Sequence, residues 1–387
     1  MDAWSQDIHI CLHSGEDAER YEGASVPPIF ENTHFVFPTF EEFVQAHRNE
    51  SERYVYWRGT NPTVQIVERK LAMLERGERC KCFASGIGAM AAALLSCVQN
   101  GDHVIGVGHL YEETKKLLAY IERFGVTHSI TRTTNVDEIE RTIQPGTKVI
   151  VMESPTSLTF ELVDLRRVAE LAKSRRVTTI VDNTWATPLL QKPLELGIDI
   201  VVHSASKYMG GHSDFLGGAV IGGEAFIRKL FDHEYLLLGA ALAPLEARML
   251  LRGLRTLPVR LQAHRDGGMK VAQFLEDHPA VAVVRYPGLH SHPQYELGLQ
   301  QMRWTTGLLG FELKEASYES VKKVLNRLKV FRIGFSWGSY ESLAMSPNYG
   351  DNAAQLAAEG IGQGLIRISV GLEPVEELLE DLNQALQ

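Results

Sequence analysis

Apolar positions are scattered through the first 57 residues without a sustained period. Val26-Pro27-Pro28-Ile29 would break a helix there. The pattern predicts an irregular N-terminal arm, a kind of segment that wraps over another surface such as a neighbouring subunit. Asn61-Pro62 is a turn or helix-start signal, and residues 64–75 are amphipathic, predicting a helix that ends at Gly77. Phe83-Ala84-Ser85-Gly86-Ile87-Gly88 reads as a glycine turn opening an Ala- and Leu-rich helix over 89–98. Short β-rich runs then alternate with helical periods. Strands are predicted at 103–107, 148–152, 177–181, 198–202 and 219–221, and helices at 111–124 and 165–174. This alternation predicts an α/β fold with a parallel or mostly parallel sheet.

The texture changes beyond residue 240. Two long helices are predicted, 240–257 and 259–276. Runs at 281–286, 308–313, 333–336 and 365–370 predict strands of a smaller sheet, with helices at 321–328 and 373–387. The expected domains are an arm of 1–57, a large domain of 58–248 and a smaller C-terminal domain of 249–387. The boundary near 248 falls inside or beside a long helix. No internal repeat is visible.

A chain of 387 residues, 44% hydrophobic, can bury a core large enough for two or more domains. Its net charge of −9 argues against a nucleic-acid binder or an anionic membrane surface as partner. No apolar run is long enough to span a bilayer, and the N-terminus lacks the basic and apolar regions of a signal peptide. Cys11, Cys80, Cys82 and Cys97 form neither a disulfide framework nor a zinc pattern, which fits a reducing cytoplasm. His290 and His292 lack a third metal ligand and read as a polar loop, so no metal site is expected.

The chemistry gathers around one lysine. The apolar run 198–202 ends in Ser204 and Ser206, followed by Lys207 and then glycines. Partial desolvation there would lower the pKa of the amine. Two hydroxyls suit a phosphate, and glycines leave room for a planar ring. The combination suggests a Schiff-base lysine holding pyridoxal phosphate. In a parallel sheet, ligands sit outside the carboxyl ends of the strands, and Tyr111, Glu153, Asp182 and Lys207 all follow predicted strand ends.

Asp182 could pair with a pyridinium nitrogen or merely cap a helix. Tyr111 could stack on a ring or pack at a helix start. The turn at Ser85-Gly86 could bind an anion through free N–H groups. Tyr56 and Arg58, two apart in an extended segment, would share a side and could clamp a phosphate. Arg367 lies in an apolar strand and needs a counter-anion, either a substrate carboxylate or an internal acid. His203 reads as a packed strand-end residue rather than a base.

With these residues assembled, the chain resembles, over nearly its whole length, the cysteine/methionine-metabolism (trans-sulfuration) family of pyridoxal-phosphate enzymes. That family includes cystathionine β-lyase, cystathionine γ-lyase, cystathionine γ-synthase and methionine γ-lyase. The motifs are Tyr56-Trp57-Arg58, Ser85-Gly86-Ile87, Tyr111, Glu153-Ser154-Pro155, Asp182-Asn183-Thr184, Ser204-Ala205-Ser206-Lys207-Tyr208, Gly211-His212-Ser213-Asp214, Arg252-Gly253-Leu254-Arg255-Thr256-Leu257 and Arg367-Ile368-Ser369-Val370-Gly371-Leu372-Glu373.

The resemblance implies an aspartate-aminotransferase-like fold (fold type I) and a homotetramer of two catalytic dimers. It implies that Lys207 carries pyridoxal 5'-phosphate, Asp182 pairs with the ring nitrogen and Tyr111 stacks on the ring. Gly86, Ile87, Ser204 and Ser206 would hold the phosphate. Tyr56 and Arg58 would reach the neighbouring subunit's cofactor, and Ser336 and Arg367 would hold the carboxylate of a sulfur amino acid.

Within the family, Ser157, Trp185, Trp337 and Tyr340 look like the bacterial β-lyase pattern, and Phe335 stands where γ-acting cystathionine enzymes commonly carry glutamate. The implied reaction is β-elimination of L-cystathionine to homocysteine, pyruvate and ammonia. Two departures are Ser339, where glycine is usual, and Gly59-Thr60-Asn61-Pro62, which looks like the γ-type members. γ-Lyase, γ-synthase and methionine γ-lyase activities are the alternatives within the family; a non-catalytic binding protein and a different pyridoxal-phosphate enzyme such as an aminotransferase are the alternatives outside it.

Overall fold

A computed structural model describes residues 2–387. Its larger sheet contains β1 (Arg79–Phe83), β2 (His103–Gly106), β3 (Thr127–Ile130), β4 (Thr147–Glu153), β5 (Thr178–Asp182), β6 (Ile200–Ser204) and β7 (Gly218–Gly222). The order is β1-β7-β6-β5-β4-β2-β3. Strands β6, β5, β4, β2 and β3 run parallel, and β7 is antiparallel to both β6 and β1. Parallel strands are covered on both faces and therefore read as continuous apolar runs. Ile150, Val181 and Val201 enter one core, while Val151, Ile180 and Val202 enter a second on the opposite face.

The smaller sheet contains β8 (Val281–Arg285), β9 (Leu308–Leu313), β10 (Arg332–Ile333), β11 (Leu343–Met345) and β12 (Leu365–Ser369), in the order β10-β11-β12-β9-β8. It is antiparallel apart from the β10–β11 pair. The strand expected at 333–336 shrinks to Arg332–Ile333, which leaves Ser336 in a loop.

One 34-residue helix, Pro244–Asp277, replaces the two expected at 240–257 and 259–276, and residue 248 lies inside it. Pro258 sits within this helix and is buried. A proline in a helix interior costs about 3 kcal/mol. Packing offsets that cost, because Leu250, Leu251, Leu254, Leu257 and Leu261 are all fully buried around it. The helix also holds the segment after β6. Arg260 Nη1 donates to Tyr208 O at 2.7 Å, and Nη2 donates to Gly253 O at 2.7 Å.

The irregular reading of residues 1–57 needs correction. Helices form at Ala3–His13 and Phe40–Arg48. The first docks on its own subunit: Ile10 and Cys11 are buried, and Asp7 pairs with Arg76 at 2.7 Å and Lys192 at 3.0 Å. Its apolar stripe is too short to stand out from the pattern. Strands β1 and β3 were also not expected. β1 reads Arg-Cys-Lys-Cys-Phe, and the charges conceal it; Lys81 is buried only because Glu68 pairs with it at 3.1 Å and the rings of Phe231 and Tyr235 lie 5.0 and 4.7 Å away. No helix among the described residues is long and apolar enough to cross a membrane.

Close approach of the long helix to the lysine-bearing segment requires glycine at 253. A Cβ there would stand 2.3 Å from Met209 O and 2.5 Å from Gly210 O. Gly253→Ala is expected to cost about 1–3 kcal/mol through overpacking. Urea unfolding checks it; an unchanged midpoint would show that the backbone can yield there.

Candidate active site

The carboxyl ends of β4, β5 and β6 open into a cavity of about 290 Å³. Its lining includes Tyr111, Glu153, Asp182 and Lys207, the four strand-end candidates, together with Gly86, Ile87, Ser204, Ser206 and Arg367. Ser336 joins them through its hydroxyl, which accepts a hydrogen bond from Lys207 Nζ at 2.9 Å. Tyr56 and Arg58 do not line this cavity. They lie together as expected, but Arg58 follows a turn rather than an extended strand, and its guanidinium sits 5.2 Å from the Tyr56 ring centroid.

Lys207 lies just past β6, and its amine is drawn down to about 8, first by burial and then by the Arg367 cation, against the pull of Asp182. The Trp337 ring lies 5.5 Å from Nζ. The Asp182 carboxyl is raised by burial, against hydrogen bonds from Thr184 and the charges of His203 and Lys207. Thr184 N donates to Oδ1 at 2.9 Å, and the Thr184 hydroxyl donates to the same oxygen. Burial also raises Glu153, reinforced by Asp182. Glu153 accepts from Tyr111 N at 2.5 Å and from the Ser157 hydroxyl at 2.8 Å, so it positions the turn that carries Tyr111. The Tyr111 phenol is raised by burial, then by Glu113 and Glu153.

The helix Gly86–Leu95 points its N-terminus at the same cavity. Ser85 caps it, accepting from Gly88 N at 3.1 Å. No acceptor among the described residues takes the Gly86 and Ile87 amides. Only glycine fits at 86, since a Cβ would stand 2.7 Å from Ser204 Cβ. Free amides, a helix N-terminus and adjacent serines form a cradle for an anion.

Arg367 on β12 is the second basic group. Burial lowers it to about 10. Its guanidinium donates to the carbonyls of Phe335 and Ser336. No carboxylate among the described residues pairs with it, so the internal salt bridge considered for it is absent. A partly buried cation lacking a counter-charge suits an anionic ligand group.

His292 is buried, meeting Phe160 O at 3.1 Å, so that loop is less polar than expected. Sequence reasoning gave Thr184 no individual role, and its partnership with Asp182 had only the spacing of Asp182-Asn183-Thr184 as a signal.

An amine of lowered pKa, a half-buried carboxylate in the same cavity and an anion cradle together fit pyridoxal phosphate: Lys207 is suited to its aldehyde carbon, Asp182 to its ring nitrogen and the cradle to its phosphate. Fold and site thus define a pyridoxal-phosphate enzyme of fold type I. Comparison with known proteins narrows the class. The family profile described as Cys/Met metabolism PLP-dependent enzyme matches residues 9–387, and the chain belongs to that family.

An L-methionine gamma-lyase of Treponema denticola is 38% identical over 383 residues, covering 97% of this chain and 95% of the relative. A cystathionine beta-lyase of Coxiella burnetii is 38% identical over 382 residues, covering 97% and 96%. The crystal structure of metB from Corynebacterium glutamicum superposes with a TM-score of 0.91 at 32% identity, covering 98% of this chain and 97% of that one.

The reactivity of Lys207 toward an aldehyde should rise with pH around a midpoint near 8, not at the ordinary lysine value of 10.5. Arg367→Met removes a neighbouring cation and should move the midpoint up; Asp182→Asn removes an anion and should move it down. Peptide mapping after borohydride reduction at several pH values checks both directions.

Proposed function

We propose that this enzyme cleaves the Cβ–S bond of L-cystathionine, yielding homocysteine, pyruvate and ammonia. The observation that supports this reading is the uncharged, aromatic side of the cavity that holds Lys207. Phe335, Trp337 and Trp185 all line the cavity. Phe335 stands 6.4 Å from the Tyr111 ring, at the position where a γ-acting cystathionine enzyme would carry glutamate. The side of the cavity formed by Phe335, Trp337 and Trp185 offers no carboxylate to the distal ammonium of cystathionine placed for γ-chemistry.

Pyridoxal phosphate supplies an electron sink for negative charge developing at the substrate α-carbon. The rest of the chemistry falls to the chain. Arg367 and Ser336 hold the α-carboxylate, Arg367 through its fork, and so set the direction of the Cα–H bond. Lys207 lies within hydrogen-bond reach of Ser336 and takes that proton as general base. Asp182, as an anion, keeps a proton on the ring nitrogen. Tyr111 would lie against the ring, and Gly86, Ile87, Ser204 and Ser206 would hold the phosphate. The second reading is γ-elimination, favoured by the names of several relatives, L-methionine gamma-lyases among them.

Chromatography of the products from cystathionine separates the readings. Pyruvate with homocysteine is expected. Predominant 2-oxobutyrate would overturn β-elimination, and turnover of methionine alone would point to a methionine γ-lyase. Amino-group transfer without thiol would point to a transaminase, and no product to a binding protein.

Lys207→Ala should lose the visible cofactor band and all turnover. Borohydride should fix the cofactor to Lys207, and an adduct on another lysine would overturn the assignment.

Tyr56 and Arg58 lie outside their own chain's cavity. With the exposed apolar residues Val36 and Phe40 nearby in the chain, they support an arm that completes a neighbouring subunit's site in a dimer, two of which would form a tetramer. Mixing Arg58→Ala with Lys207→Ala subunits should restore part of the activity. Verified heterodimers that stay inactive would argue against sharing.

A further inference from the structure

A second group of polar side chains lies beneath the site. Glu75, Asn183 and His203 are fully buried, and Gln191 nearly so. Glu75 Oε1 meets His203 Nε2 at 2.5 Å and accepts from Asn183 Nδ2 at 2.9 Å. Gln191 Nε2 donates to Asn183 Oδ1 at 3.0 Å and to Ser154 O at 2.9 Å. Each member on a strand end adjoins a site residue: Ser154 follows Glu153, Asn183 follows Asp182, and His203 precedes Ser204. Successive strand side chains point to opposite faces. The same three strand ends therefore present the site on one side and this network on the other.

The network is more than hydrogen-bonded filler. Glu75 Oε2 and His203 Nδ1 are buried without partners. Burying ionisable groups costs several kcal/mol, and amides or hydroxyls could register three strands without that cost. A buried carboxylate bonded to an imidazole places a proton-holding ring on β6, the strand paired with β5 through Asp182 and Val202. Glu75 also lies close enough to the Lys192 ammonium to favour its charge.

We infer that Glu75 and His203 are positioning residues that act on the cofactor's ring nitrogen through Asp182. The groups around Asp182 support this: Thr184 donates two hydrogen bonds, Glu153 opposes its charge, Lys207 favours it, and His203 favours it from the far side of the paired strand ends. Of these two groups, Lys207 would take part in the cofactor linkage itself, and His203 would not.

The inference rests on the site proposed above. It is tested on the holoenzyme of His203→Gln and Glu75→Gln by pH titration of the visible band of the lysine-bound cofactor. With Asp182 less readily ionised, the ring nitrogen would hold its proton less tightly and withdraw less charge from the lysine linkage. The midpoint is expected to rise by about one pH unit.

Asp182→Asn should move it in the same direction. Adding His203→Gln to Asp182→Asn should then change nothing further, because the effect runs through Asp182. A wild-type midpoint in either folded variant overturns the inference, whatever happens to thermal stability. A second measurement leaves the network intact: isotope-labelled histidine NMR should show the His203 resonance move on Asp182→Asn, and an unmoved resonance also overturns it. A cofactor adduct on a lysine other than 207 would instead overturn the site reading beneath it.

Discussion

Keeping opposite charges close together where burial opposes both is the constraint on which this structure depends. Burial pushes the Asp182 carboxyl up and the Lys207 amine down. Each partly stabilises the charge of the other. Without the Thr184 hydrogen bonds and the cations nearby, the Asp182 carboxyl would be harder to ionise and less able to hold a proton on a ring nitrogen. Without Arg367, the Lys207 amine would be less readily freed as a nucleophile.

The sheet makes this possible through its alternation. Three parallel strands end at one edge, so Glu153, Asp182 and Ser204 converge without any long loop having to deliver them. Their neighbours Ser154, Asn183 and His203 are used on the underside, where Glu75 and Gln191 tie the strand ends together. The long helix holds the segment after β6 through Arg260 and the close approach at Gly253. The lysine is thus carried by a segment fixed from two directions, as a site sensitive to small displacements requires.

The smaller sheet and its loops contribute the residues proposed to read the substrate. Arg367 comes from β12, and Ser336, Phe335 and Trp337 from the loop after β10. The residues proposed for the cofactor and those proposed for the substrate therefore come from different sheets and their adjoining loops. Relatives within this family carry both β-lyase and γ-lyase names at similar identity to this chain. A shared cofactor frame with variation in the substrate-facing wall accounts for that spread physically, since elimination at Cβ or Cγ begins with the same proton removal at Cα.

Much was legible in the sequence. A central parallel strand is apolar along its length and ends abruptly in polar residues, so Asp182 and Lys207 stood out at the ends of such runs. Strands and helices in the α/β region announced themselves for the same reason. The helix through Pro258, strand β1 with its buried Lys81 and the docked helix Ala3–His13 did not. In each case local preference points one way, and partners distant in the chain reverse it: leucine packing around Pro258, Glu68 and two aromatic rings beside Lys81, Arg76 and Lys192 on Asp7. The sequence by itself determined which groups could carry the chemistry, because residue type and strand-end position are local properties. Only the tertiary structure decided that Arg367 has no internal acid and that Glu75 lies against His203, because both depend on pairings between segments far apart in the chain.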